Sequence, residues 1–158
     1  MNEALGLSKQ ILSKNAEKLG HILSDHYFLY LNTLNAHWNV EGSNFIALHK
    51  LLEEQYEQIK DYLDEVAERI RTLGFKAPAS YKSYHKQSDM DFMKAQSDQG
   101  KVIENLCSSY KESLTQLRIT IKEISETNDY ATEDLLVEIL RNYEKNLWML
   151  ISHIKITS

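Results

Sequence analysis

Apolar side chains recur along this chain in steps of three and four. From Ile11 to Val40 they fall at Leu12, Ala16, Leu19, Leu23, Tyr27, Tyr30, Leu34 and Trp38, close to the helical period of about 3.6 residues that gathers them into one stripe. Gly42 stops this run. A second run follows Ser43 or Asn44, either of which can cap a helix N-terminus, and continues through Phe45, Leu48, Leu52, Tyr56, Ile59, Leu63, Val66, Ile70 and Leu73 to Gly74. A third, from about Met93 to Ile124, passes through Ile103, Leu106, Tyr110, Leu114, Leu117 and Ile121. The fourth follows Asn128 and Asp129, with Thr132 as the expected cap and Glu133 and Asp134 in the first turn, where the helix dipole favours acids. Its inner face carries Leu136, Leu140, Tyr143, Leu147, Leu150 and Ile154. Four long amphipathic helices predict a bundle.

The connections predict its topology. Glu41–Ser43 and Ser125–Ala131 are short, so helices one and two, and three and four, are antiparallel neighbours. The stretch from Gly74 to about Asp91, which holds the chain's one proline, Pro78, is too long for a hairpin loop. About twenty residues at about 3.3 Å each can run the roughly 45 Å of a thirty-residue helix, so helix three can start at the same end as helix two. Tyr81 to Gln87 has the makings of a short helix within it. An all-α, four-helix bundle with one long crossover between helices two and three is the ferritin-like arrangement.

Composition agrees with this. The chain has 158 residues, 42% hydrophobic and 26% charged, with five glycines, which fits a single helical domain over 1–158. Its formal net charge of −5 gives no electrostatic case for nucleic acid. The lone Cys107 cannot close an intramolecular disulfide, no apolar run approaches the roughly 18 residues of a membrane span, and Met1–Gln10 lacks the form of a signal peptide. The expected location is the cytoplasm.

The chemistry is concentrated in His37, His49, Glu53, Asp64 and Glu68. Imidazole with carboxylate suits a divalent transition ion such as iron better than calcium or magnesium. On helix two, Glu53 lies about 40° round from His49, Asp64 about 60° and Glu68 about 100°, so all four share one side. Yet His49 and Asp64 stand fifteen residues apart in the sequence, about 22 Å along the axis, too far for one ion. A second copy removes the difficulty. An antiparallel, two-fold related helix two crossing near residues 56 and 57 places His49 of one chain beside the Asp64 position of the other, and symmetry makes two equivalent sites. His37 and His49 then come from one subunit and the Asp64 and Glu68 pair, spaced i,i+4, from its neighbour. A Glu-x-x-His pair, the mark of a di-iron site inside one bundle, occurs nowhere in the chain.

These residues resemble a known family. His37-Trp38-x-Val40-x-Gly42-x5-Leu48-His49-x3-Glu53 is similar to the first signature of the Dps family, the mini-ferritins or DNA-binding proteins from starved cells. Leu63-Asp64-x-Val66-Ala67-Glu68-Arg69-x3-Leu73-Gly74 is similar to the second. The similarity runs on through Leu29–Thr33, Gly74–Pro78, Thr132–Leu136 and Glu144–Leu150, so that it covers essentially the whole chain.

The resemblance implies a hollow shell of twelve subunits, built from two-fold dimers, that oxidises Fe(II), preferentially with hydrogen peroxide. Such a ferroxidase stores ferric iron inside and protects against oxidative stress. It implies His37, His49, Asp64 and Glu68 as ferroxidase ligands, Glu53 as a further ligand or water holder, Trp38 as an interceptor of stray oxidising equivalents, and Asp129 and Asp134 as pore lining. Iron is the implied metal, and zinc suits the same ligands.

Each residue has a plainer reading beside the functional one. Trp38 can be core packing and Asp129 and Asp134 helix-start charges, while His21, His26, His85 and His153 fall in the ordinary class of surface or core histidines. The competing function is a nucleoid-compacting protein whose main partner is DNA. Against it, the chain has no Lys/Arg-rich tail, and twelve copies would carry about −60, which repels phosphate.

Overall fold

A computed structural model describes residues 5–154, the side chain of Ile154 excepted. Among them five helices follow in order: α1 (Lys9–Asn39), α2 (Phe45–Thr72), α3 (Tyr81–Gln87), α4 (Gln99–Ser125) and α5 (Tyr130–Ile154). α1 pairs with α2 and α4 with α5; α1 also packs on α4, and α2 on α5. The contacts Lys18–Glu123 and Asn32–Ser109 run α1 antiparallel to α4, and Gln55–Asn146 with Arg69–Asp129 do the same for α2 and α5. The result is the expected bundle with one long crossover, and α3 is the short helix within it.

The core follows the apolar stripes. Leu12, Leu19, Leu23 and Leu29 of α1, Leu48, Leu52, Ile59, Val66 and Ile70 of α2, Leu106, Tyr110 and Leu117 of α4, and Leu136, Tyr143 and Leu150 of α5 are buried together. Tyr27, Tyr30 and Leu63 pack at its edge. Trp38 does not join it. Its side chain is 69% exposed, because α1 turns Ala36 and His37 inward at that level. The core reading of Trp38 is therefore corrected for the single chain.

One helix boundary and two capping bonds differ from the sequence reading. α4 begins at Gln99, not near Met93. Met93 N–H donates to Asn32 Oδ1 at 2.8 Å, and its carbonyl accepts from Asn35 Nδ2 at 2.8 Å, so side chains of α1 take the backbone groups a helix would have used. Asp98 then caps α4, accepting from Lys101 N–H at 2.9 Å. Asn44 stands at the N-cap position of α2 without a capping bond; its amide donates instead to His153 Nδ1 at 3.0 Å, tying α2 to the end of α5. At α5 the capping side chain is Asp129, which accepts from Thr132 N–H at 3.3 Å, and not Thr132. Gly42 is needed where it stands: its φ is 140°, and a Cβ there would meet Gln99 Oε1 at 2.8 Å.

Candidate metal centre

His37 lies in the last turn of α1 and His49 in the second turn of α2, and the short connection brings the two turns face to face. Their rings stack at 3.8 Å between centroids and 17° between planes. Each Nδ1 sits 2.9 Å from the backbone carbonyl of the other residue. A carbonyl can only accept, so both Nδ1 atoms carry hydrogen, which leaves Nε2 as the nitrogen of each ring that could bind a metal. Metal-binding histidines use this second hydrogen bond to fix tautomer and ring direction.

Aromatic side chains continue the stack. Phe45, one turn before His49, lies 4.9 Å from its ring, and Tyr56 meets His37 edge-on at 5.1 Å. The chain pattern marks both as helix-face residues but gives no sign of this role, which depends on how α1 meets α2. His37 is buried and His49 half-buried.

Glu53, Asp64 and Glu68 are exposed on α2. Asp64 opens onto a groove between α2 and the crossover whose walls include Tyr27, Leu63, Pro78, Tyr81 and Tyr84. The chain thus brings two of the five expected ligands together and presents the other three outward. Among the described residues no three His, Cys, Asp or Glu side chains of one chain gather to hold an ion. The outward face is strongly acidic: burial and then the carboxylates of Glu138, Asp61, Asp64 and Glu68 hold the Glu65 carboxyl above its ordinary value. Such a field attracts cations.

The remaining histidines lie away from this pair. His26 is fully buried with neither ring nitrogen hydrogen-bonded, and burial pushes it down to about 3. His21 Nδ1 donates to the Gln87 carbonyl at 2.9 Å, His85 stacks on Tyr81, and His153 accepts from Asn44. Asp129 is only 3% exposed. It receives Arg69 Nη2 at 2.7 Å, Asn15 Nδ2 at 3.0 Å and Thr132 Oγ1 at 2.7 Å. Burial alone would raise its carboxyl, but the bonds from Thr132, Asn15 and Arg69 outweigh it and hold the group below its ordinary value. Of the two expected pore acids, Asp134 is exposed and Asp129 serves the interior.

Comparison with known proteins adds a relationship to this geometry. A family model described as a ferritin-like domain matches residues 16–158. The "DNA protection during starvation protein 2" of Bacillus anthracis is 31% identical over 144 residues, 91% of this chain and 96% of its own. The "DNA protection during starvation protein" of Mycolicibacterium smegmatis is 31% identical over 151 residues, covering 95% and 82% respectively. Among solved structures, a DPS protein from Vibrio cholerae O1, described as a member of a broad superfamily of ferritin-like diiron-carboxylate proteins, superposes with a TM-score of 0.89. It is 30% identical, over 94% of this chain and 93% of that one.

Proposed function

Because the chain belongs to the Dps family of ferritin-like proteins, we propose that it oxidises Fe(II) with hydrogen peroxide at sites completed across a two-fold interface. The ferric product is kept inside a closed shell of twelve copies. The observation that carries this reading is the reciprocal pairing of His37 and His49 with each other's carbonyls, which stacks the two rings and leaves Nε2 of each as the nitrogen for an ion. Two neutral imidazoles bind an ion but leave its charge uncompensated, and the exposed carboxylates of Asp64 and Glu68 on a second copy supply that compensation. Glu53, one turn beyond His49, adds an oxygen ligand or holds water.

Chemically, two Fe(II) ions give one electron each to one peroxide, which takes up two protons and leaves as two waters. No hydroxyl radical is released when both electrons arrive together. Zinc fits the same donors and would compete with iron for them. Trp38, exposed beside His37, is placed to intercept an oxidising equivalent that escapes, and the exposed Asp134 suits an entry path for cations.

The test is ferric absorbance after mixing the purified protein with Fe(II) and peroxide. His37→Ala and Asp64→Ala should each slow ferric formation by about a hundredfold or more, since loss of an outer-shell partner alone costs up to that much. Wild-type kinetics in either variant would sink the site. DNA binding is the second reading, suggested by the relatives' names and opposed by the net charge of −5. Gel retardation of plasmid at low salt without divalent cations should show no shift, and a clear shift would put DNA first.

A further inference from the structure

Helix α2 carries two seams, and its own chain covers only one. The buried residues Leu48, Leu52, Gln55, Ile59, Tyr62 and Val66 step by four and three in turn along the side that meets α1 and α5. A second series with the same alternation starts two residues earlier, at Ile46, and runs through His49, Glu53, Tyr56, Lys60 and Leu63 to Ala67. Two residues turn a helix by about 200°, so this series lies on the opposite side. None of its members is buried, and Ile46 is 63% exposed. Steps of three and four average 3.5 residues, the spacing that keeps two helices in contact over several turns at a shallow crossing angle.

The outer seam is self-complementary. An antiparallel copy of α2 that crosses near residues 56 and 57, the axis proposed for the metal site, sets position 46 against 67 and position 53 against 60. Ile46 then meets the Ala67 position of the other copy, a large side chain against a small one, and Glu53 meets the Lys60 position, an acid against a base. Symmetry makes each match twice. The axis follows from His49 and Asp64 alone, so both matches are independent of it. Leu63 and Ala67 also belong to the wall of the groove beside Asp64, with Tyr27, Tyr81 and Tyr84, so Ile46 of one copy faces an apolar recess on the other. Lys60, paired with its own Glu57, places a cation among the carboxylates that the pairing brings together.

We infer that a second copy of this chain docks along the outer seam of α2, with Ile46 as the apolar anchor that seats beside Leu63 and Ala67. This rests on the two-fold reading of the metal site and adds to it the residues that hold the copies in register. Each anchor stands about 16 Å from the axis, one turn beyond His49. It therefore fixes the two ends of the pair where the histidines of one copy approach the carboxylates of the other. The seam holds the copies together without help from a metal, and the pair forms before iron arrives.

Thiol cross-linking of the metal-free protein reads the register. Ile46→Cys combined with Ala67→Cys, treated with a cross-linker that spans about the 8–10 Å between packed helix axes, should give a covalent dimer on a denaturing gel. Each single variant should stay monomeric on that gel, because equivalent residues lie about 32 Å apart across the axis. So should the wild type, whose Cys107 is buried. Ile46→Glu should keep the wild-type helical circular dichroism, since the side chain is exposed in the single chain. It should weaken the two-fold pair about a hundredfold or more in sedimentation, as two apolar side chains per pair leave the interface. A double variant that stays monomeric, single variants that cross-link as well as the double, or an Ile46→Glu variant that pairs like the wild type would overturn the seam. Cross-linking in the double variant beside a wild type that forms no ferric iron would leave the seam standing and remove the metal site; the reverse would keep the site and remove the seam.

Discussion

A histidine that binds a metal has to present one lone pair and hand its other ring hydrogen to an acceptor. His37 and His49 meet the second need by using each other's backbone. The spacing of the two residues was enough to single them out, but the carbonyl exchange was not legible, because it is set by how closely α1 and α2 approach. His26 teaches the opposite lesson. It lies on the stripe between Leu23 and Tyr30, so its burial could be read, whereas the want of any partner could not. Its consequence is a pH dependence. The unfolded chain takes up a proton on His26 below about 6.5 that the folded chain refuses until about 3, so stability is full above the upper value and falls through this window, by roughly 1.4 kcal/mol per pH unit at most. Asp25 acts in the other direction: its folded carboxyl is protonated from about 6, its free form from 3.8, so acid adds stability between those values. Denaturant unfolding as a function of pH should show His26→Leu with a markedly flatter acid limb than wild type; an unchanged limb would mean the buried imidazole is not the source.

The helices themselves were legible almost throughout, because each buries one face at a steady period. α3 falls where the crossover pattern placed it. The start of α4 was not legible, since the competing bonds come from Asn32 and Asn35, some sixty residues earlier in the chain. The cap of α5 was misplaced for a similar reason. Asp129 is both the cap and the partner of Arg69, whose side chain is 17% exposed against 2% for the aspartate. Removing it takes away the cap and leaves a largely buried guanidinium without its counter-charge. Asp129→Ala should cost about 2–4 kcal/mol in chemical denaturation. The double variant Arg69→Leu with Asp129→Ala should recover part of that loss, and equal losses in the two would show that the cap alone matters.

At the scale of the molecule, the single chain brings together two of the five proposed ligands. Its two histidines stack as a pair, and Asp64 and Glu68 lie fifteen and nineteen residues beyond His49 on the exposed face of the same helix. Residue spacing along one helix makes this division legible in the sequence, whereas the groove that Asp64 shares with the crossover depends on where α3 packs, which no local pattern encodes. The central claim, that each site takes histidines from one copy and carboxylates from another, is tested by mixing two dead variants. His37→Ala keeps its acids and Asp64→Ala keeps its histidines. Coexpressed and assembled at random, half of the two-fold pairs are mixed, and each mixed pair contains one intact site. The mixture should therefore recover about a quarter of wild-type peroxide-driven ferric formation, by the symmetry of the two-fold pair. If the mixture is as inactive as its parents, the site does not span two copies.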